Sequence, residues 1–263
     1  MSDTTAPPVI EVQNVTIAYG EKVVQRDISF EVRRGEVFVI LGGSGCGKSS
    51  LLKTMIGLYR PAAGRILFDG EDIVTAEGDE RLRLLRKFGV MYQSGALFGS
   101  MTVLENVCLP LDEFTDLESE EKTLVAAAKL NQVGLLPAAA QKPSALSGGM
   151  QKRAGIARAM ALDPGILFLD EPSAGLDPIT SAGLDETIRE LSKGLGITFV
   201  VVTHELQSIY AIADRCIMLD ARTKTALAQG TPADLRDHSK DPYVRQFFLR
   251  QAAAAAGATR PPA

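Results

Sequence analysis

The stretch Glu36–Ser50, EVFVILGGSGCGKSS, decides the fold. Its apolar run from Val37 to Leu41 reads as a strand buried on both faces, the mark of a central strand in a parallel sheet. Gly42 to Ser49 then fit G-x-x-x-x-G-K-[ST], and Ser49 to Gly57 carries a helical pattern. Strand, glycine loop and helix in that order make a phosphate loop. Gly42, Gly43, Gly45 and Gly47, with the small Ser44 and Cys46 between them, let the backbone curl so that N–H groups face phosphate oxygens. The helix start adds the positive end of its dipole. Lys48 is placed to reach the β and γ phosphates, and the Ser49 hydroxyl, followed by Ser50, to ligate Mg²⁺. The plain alternative is a glycine-rich turn that happens to precede a lysine.

A phosphate loop needs a carboxylate for its metal, and GILFLDEP (165–172) supplies one. Its apolar strand delivers Asp170 and Glu171 at a carboxyl end, where open α/β sheets bind ligands. Asp170 is expected to hold the Mg²⁺ shell and Glu171 to orient and polarise an attacking water. No N-K-x-D stretch of the guanine-binding kind is present, so ATP is the expected nucleotide. Tyr19, in IAYGEK, is placed to stack on a base, and it reads equally well as a strand-end core aromatic.

Further short strands are expected at 10–15, 28–32, 66–68, 90–92 and 199–202, with helices at 122–133, 150–161 and 179–195. Strands alternating with helices predict an α/β fold. Between about Ser94 and Leu162 the strand signal vanishes, which predicts an inserted helical segment. The last stretch, QAAAAAGATRPPA (251–263), reads as a flexible tail.

Composition narrows the function classes. The 28 basic and 32 acidic residues give a net charge of −4, so no global basic field favours nucleic acid. No apolar run approaches the roughly 18 residues that span a bilayer. The start, MSDTTAPPVIEV, lacks signal-peptide regions, and the three cysteines have no metal spacing, so a reducing cytosol is expected. Cys46 invites a second reading as a thiol activated by the helix start, against a tolerated small residue.

A second anion cradle stands at ALSGGMQKRAGIARAM (145–160). Ser147, Gly148 and Gly149 precede a basic helix and suit a terminal phosphate, or else Ser147 caps the helix and the glycines make a turn. Taken together, the motifs resemble the nucleotide-binding subunits of ABC transporters, from about Val9 to Leu235. Tyr19 resembles the adenine-stacking loop, Gly42 to Ser49 the Walker A loop, and Gln93 the Q-loop residue, a further ATP and metal contact. LSGGM (Ser147, Gly148, Gly149, Met150) resembles the signature, ILFLDE the Walker B strand, AGLD with Asp177 the D-loop, and His204 the switch histidine. Asp177 also reads as an acid at a helix start.

That resemblance implies an ABC ATPase cassette with ATP and Mg²⁺ as cofactors. Its RecA-like core with an antiparallel β subdomain spans 9–93 and 163–245, and a helical signature subdomain spans 94–162. Residues 1–8 are a flexible N-terminus and 246–263 a C-terminal extension. It also implies a head-to-tail homodimer in which each signature closes over the partner's ATP, with Glu171 and His204 catalytic. Met150 replaces the usual glutamine of the signature, while Gly43 and Ser50 replace a more frequent proline and threonine.

YQSGALF followed by T-V-x-E-N-V, the methionine of LSGGM, AGLDPIT and DPYVRQF are similar to the ATPases of Mla phospholipid-transport and related Mce-associated systems. The implied partners are a membrane permease (MlaE-like), an Mce-domain protein (MlaD-like) and a STAS-domain protein (MlaB-like). The implied place is the cytoplasmic face of the bacterial inner membrane. The apolar Leu97, Phe98, Met101 and Val103 suit a groove for a permease helix, against a plain reading as subdomain core, a role that some of the four must play. A non-transport ABC ATPase, such as a cell-division partner, is the alternative. His238 is expected at the surface.

Overall fold

The computed structural model describes residues 7–250. The flexible stretches expected at 1–8 and 251–263 fall mainly or wholly outside the described residues. Chain order is β1 (Ile10–Tyr19), β2 (Lys22–Val32), β3 (Val37–Gly42), α1 (Lys48–Met55), β4 (Ala63–Phe68), β5 (Glu71–Asp72), α2 (Gly78–Leu85) and β6 (Phe88–Met91). It continues through α3 (Val103–Phe114), α4 (Ser119–Gln132), α5 (Gly148–Ala159), β7 (Ile166–Asp170), α6 (Pro178–Leu195) and β8 (Thr198–Val202). It ends with α7 (Leu206–Ile212), β9 (Arg215–Asp220), β10 (Thr225–Gly230), α8 (Pro232–His238) and α9 (Pro242–Leu249).

The strands form two sheets, an antiparallel one ordered β2-β1-β4-β5 and a larger one ordered β10-β9-β3-β8-β7-β6. In the larger sheet every neighbour from β9 to β6 is parallel, and only the edge strand β10 runs antiparallel. Every residue of β3, β7 and β8 is buried, as the unbroken apolar runs require of strands covered on both faces. β1 and β2 instead alternate buried and exposed positions, because one face of their sheet meets solvent. Neither β9 nor β10 is among the expected strands, and α2, α3, α7, α8 and α9 are not among the expected helices.

No strand lies between Met91 and Ile166 among the described residues. Helices α3, α4 and α5 pack together there, yet Val107, Leu130 and Ile156 join Val39, Leu169 and Val201 in one continuous apolar core. The helical segment thus shares its core with one face of the parallel sheet. The boundary expected at 245/246 falls inside α9, whose Val244 and Phe248 are buried against the body. His238, the last residue of α8, is exposed.

A buried charge inside α6 gives the fold a pH dependence. Asp185 is 5% exposed, and burial pushes its carboxyl up to about 6, with Glu205 adding repulsion. The unfolded chain titrates lower, so this group's stability is fully present below the unfolded value and is lost as pH rises through the folded one. Asp185→Asn is expected to stabilise the protein by about 2 kcal/mol at pH 8. The gain should vanish near pH 4, and thermal denaturation at the two pH values checks both.

Candidate nucleotide site

The register of the parallel sheet brings three loops together. Val202 pairs with Ile40 on one side and Asp170 on the other. The chain therefore leaves β3, β7 and β8 at one level, at their carboxyl ends. A cavity of about 810 Å³ opens there, lined by the phosphate loop with Tyr19, Gln93, Glu171 and His204.

The phosphate loop is shaped by contacts a side chain would break. Gly42 adopts φ 151°, and a Cβ on it would lie 2.4 Å from the Leu219 carbonyl oxygen, which leaves glycine as the only fit. Lys48 is buried, and its ammonium donates to the carbonyl oxygens of Gly42 (2.9 Å) and Gly43 (3.2 Å). Its charge therefore stays over the loop, where phosphate oxygens would bind. The Ser50 hydroxyl accepts from Tyr19 Oη at 3.2 Å. Tyr19 is 47% exposed at the cavity rim, so it is not a core aromatic.

Ser49 Oγ donates to Asp170 Oδ1 at 3.2 Å. Burial raises the Asp170 carboxyl above its ordinary value and the Ser49 bond opposes that rise, so a cation here would be favoured by neutralising the charge. Hydroxyl and carboxylate oxygens suit a hard cation such as Mg²⁺. Among the described residues no cluster of three His, Cys, Asp or Glu forms a metal site. A cation at Ser49 and Asp170 would complete its shell with phosphate oxygens and water. Gln93 lines the same cavity and is exposed.

Glu171 takes φ 48°, a left-handed conformation that costs a non-glycine residue free energy. Its N–H donates to the Val202 carbonyl at 2.8 Å, and both carboxylate oxygens lie 2.9 Å from His204 Nδ1. The Glu171 side chain is 12% exposed and that of His204 60%. The pair can hold a carboxylate at the cavity mouth with its orientation fixed by the imidazole.

Of the two readings of Cys46, the structure favours the tolerated small residue. It lies in the loop, but its side chain is packed in the core with Leu51 and Leu219 rather than in the cavity. Burial pushes its thiol up, outweighing the lowering by Lys48, so the thiol is not activated. Its carbonyl accepts from Gln25 Nε2 at 2.5 Å, and the same amide donates to the Asp220 carbonyl at 3.1 Å. This fully buried buttress of the phosphate loop lies in β2 ahead of the strand expected at 28–32, where a register shift between Ile28 and Gln25 accompanies the positive φ of Asp27 (52°). Phe247 of α9 also lines the cavity without having been expected to.

The signature residues stand apart. Ser147 caps α5, its Oγ accepting the Met150 N–H at 3.3 Å, and its own O–H remains free to donate. None of Ser147, Gly148, Gly149 or Met150 lines the cavity. Gly148 and Gly149 lie instead beside the start of α6, where a Cβ on Gly148 would come within 3.2 Å of Leu176 Cδ2 and one on Gly149 within 2.3 Å of Thr180 Cγ2. Asp177 caps that helix, accepting from the Ile179 and Thr180 N–H groups at 3.1 Å each, so its helix-start reading is realised. The Thr180 hydroxyl, which donates to Asp177 Oδ2 at 2.6 Å, and then these N–H groups hold its carboxyl below the ordinary range.

Leu97, Phe98, Met101 and Val103 divide between core and surface. Val103 is fully buried, Leu97 and Met101 are half-buried, and Phe98 is exposed. Asn106 holds this turn, accepting from the Phe98 N–H and donating to its carbonyl. An apolar groove of about 210 Å³ lies nearby, between α2, β6 and the ends of α3 and α5, with Leu82, Val90, Pro110 and Phe114 among its walls.

Comparison with known proteins agrees with this geometry. The family described as "ABC transporter" matches residues 25–174. An intermembrane phospholipid transport system ATP-binding protein, MlaF, of Escherichia coli K12 is 40% identical over 240 residues, covering 91% of this chain and 88% of the relative. MlaF of Haemophilus influenzae is 38% identical, covering 91% and 90%. A probable ribonucleotide transport ATP-binding protein, mkl, of Mycobacterium leprae is 40% identical, covering 91% of this chain but 68% of the relative. Among solved structures, the dimeric ATP-binding cassette MJ0796 bound to ADP and Pi has a TM-score of 0.76 at 31% identity, covering 84% of this chain and 98% of that one. CbiO1 of Clostridium perfringens has a TM-score of 0.80 at 28% identity, covering 93% and 96%. The chain belongs to the ABC transporter family, and it is an ATP-hydrolysing cassette of that family.

Proposed function

We propose that this cassette powers phospholipid transport in a bacterial envelope system of the Mla or Mce-associated type. The observation that carries the reading is end-to-end likeness: both MlaF relatives align over about nine-tenths of their own length and of this chain. The mkl relative extends well beyond the alignment.

Two copies pack head to tail in this reading, and each signature closes on the other's nucleotide. The absence of Ser147, Gly148 and Gly149 from their own chain's cavity supports it. Within each site Lys48 holds the β and γ phosphates, Tyr19 meets the adenine, and Glu171 orients the attacking water while His204 fixes its carboxylate. Ser49, Asp170 and Gln93 hold Mg²⁺, which when bound neutralises charge on the transferring phosphoryl group. Asp177 faces the partner across the interface. Closing and reopening of the dimer then moves a permease seated in the groove beside Pro110 and Phe114.

The partners are an MlaE-like permease, an MlaD-like Mce-domain protein and an MlaB-like STAS-domain protein, with no nucleic acid. The place of action is the cytoplasmic face of the inner membrane. No helix among the described residues is long and apolar enough to cross a membrane; in this reading attachment runs through the permease.

Purification of the tagged chain from detergent-solubilised membranes tests the reading. A polytopic permease and an Mce-domain protein are expected to co-purify, and phospholipid is expected to stimulate ATP turnover of the reconstituted complex. Stimulation by ribonucleotides alone, or recovery of a septal membrane protein instead, would overturn it.

A further inference from the structure

Lys152 lies on α5, the helix that the signature opens. It is 6% exposed, yet among the described residues it forms no salt bridge. Its ammonium donates instead to backbone carbonyls, that of Gln93 and, at 3.4 Å, that of Glu171. Burial pushes the ammonium below the ordinary lysine range, while Glu171, Asp170 and Glu205 oppose that shift. A desolvated cation hydrogen-bonded only to carbonyl oxygens is an expensive way to hold two loops. A methylene stem would fill the same space without that cost.

The neighbourhood of Lys152 explains what is being held. Further along α5, Arg158 donates to the carbonyls of Ala96 (2.8 Å) and Gly95 (2.9 Å). Gly155 lets the helix approach this loop closely, since a Cβ on it would lie 3.2 Å from Met91 Cγ and 3.3 Å from Gly95 Cα. The backbone that carries Gln93 is thus fastened to α5 by both cations. Glu171 is fastened through both of its backbone polar groups, its N–H to Val202 of β8 and its C=O to the Ala174 N–H (3.2 Å) and to Lys152 of α5 (3.4 Å). A residue in the left-handed region persists only where its surroundings over-determine it, and Lys152 supplies the contact from the helical side.

We propose that Lys152 is a positioning residue for ATP hydrolysis: by bridging the Gln93 and Glu171 carbonyls, it sets the direction of the Glu171 carboxylate according to where the signature helix sits. The inference rests on the role proposed for Glu171. It links the two composite sites of a dimer. A signature that closes on the partner's nucleotide moves α5, and Lys152 passes that movement to Glu171 of its own chain.

Lys152→Met in the full-length chain, purified with its transporter partners, tests the bridge. The methionine keeps the length and packing of the stem and removes all three donors. Turnover is expected to fall about tenfold to a hundredfold, the scale of a misplaced catalytic group. KM for ATP should stay within about threefold, because the lost contact acts on the reaction step and not on phosphate binding. Lys152→Arg, which can still donate to both carbonyls, is expected to restore most of the turnover.

Unchanged kcat in Lys152→Met overturns the proposal. So does a loss of kcat matched by an equal rise in KM, or one that Lys152→Arg does not relieve. Should the methionine variant not assemble, Lys152→Gln, whose shorter side chain reaches one carbonyl at most, is expected to show the same selective fall in kcat. Wild-type kcat in that variant also overturns it. Glu171→Gln, assayed alongside, separates the two readings. An inactive glutamine variant beside a fully active Lys152→Met removes only the bridge, whereas an active glutamine variant removes the role assigned to Glu171 itself.

Discussion

Glu171→Gln is expected to lower steady-state phosphate release from the assembled transporter by about 10²- to 10⁴-fold, the range a general base contributes. ATP binding should be retained or tightened. The substitution is nearly isosteric, and a glutamine oxygen can still meet His204 Nδ1 at the 2.9 Å now spanned by the carboxylate. The left-handed backbone and its bond to Val202 are untouched. What disappears is the negative charge that polarises water, and with it the repulsion between that charge and a γ-phosphate. The variant should therefore accumulate as an ATP-bound dimer. Phosphate release, equilibrium ATP binding and size exclusion with and without ATP measure the three parts. A variant that hydrolyses ATP at the normal rate sinks the assigned role. His204→Ala should be less damaging, since it frees the carboxylate without discharging it.

The chemistry around that carboxylate was legible in the sequence because it is local. The run from Val37 to Leu41, the glycine loop and Lys48 are contiguous, and Asp170 and Glu171 follow directly on their own apolar strand. Sequence reading placed β3, β7 and β8 to within a residue at each end for the same reason: strands buried on both faces are written as unbroken apolar runs. β10, TALAQG, has no such text. It is an edge strand of small and polar residues, held by its antiparallel partner β9, so tertiary pairing and not propensity makes it a strand.

Helix α3 hides for another reason. Pro110 sits inside it and argues locally for a break. The reciprocal cap between Thr102 and Glu105 marks its start clearly. Lys152 and Gln25 could not be read at all. Each reaches residues far along the chain, Lys152 to Gln93 and Gln25 to Asp220, and a buried lysine or glutamine looks like any surface one until the fold closes over it. The cluster at 97–103 is ambiguous on similar grounds. Apolar spacing cannot say whether Val103 faces the core or a partner, and the core claimed it.

A mixed dimer gives the sharpest test of what the signature does. Lys48→Ala removes the ammonium that now spans the Gly42 and Gly43 carbonyls, and Ser147→Arg puts a bulky cation where the signature should meet a phosphate. Each homodimer is expected to lose at least about 100-fold in turnover, the cost of one missing transition-state contact. Co-assembly of the two variants should restore activity if the sites are shared. In a head-to-tail pair, one site combines both defects and is dead. The other joins the intact Lys48 of the Ser147→Arg chain to the intact Ser147 of the Lys48→Ala chain. The mixed complex should then recover up to about half of wild-type turnover, non-additivity being the signature of residues acting in one site. If each chain instead used its own signature, both sites would carry a lesion and mixing would restore nothing. Differently tagged chains purified in tandem, with phosphate release measured on the doubly tagged fraction, decide between the two. The geometry favours recovery, because Ser147, Gly148 and Gly149 lie outside the cavity that holds their own Lys48, with the two glycines beside the start of α6.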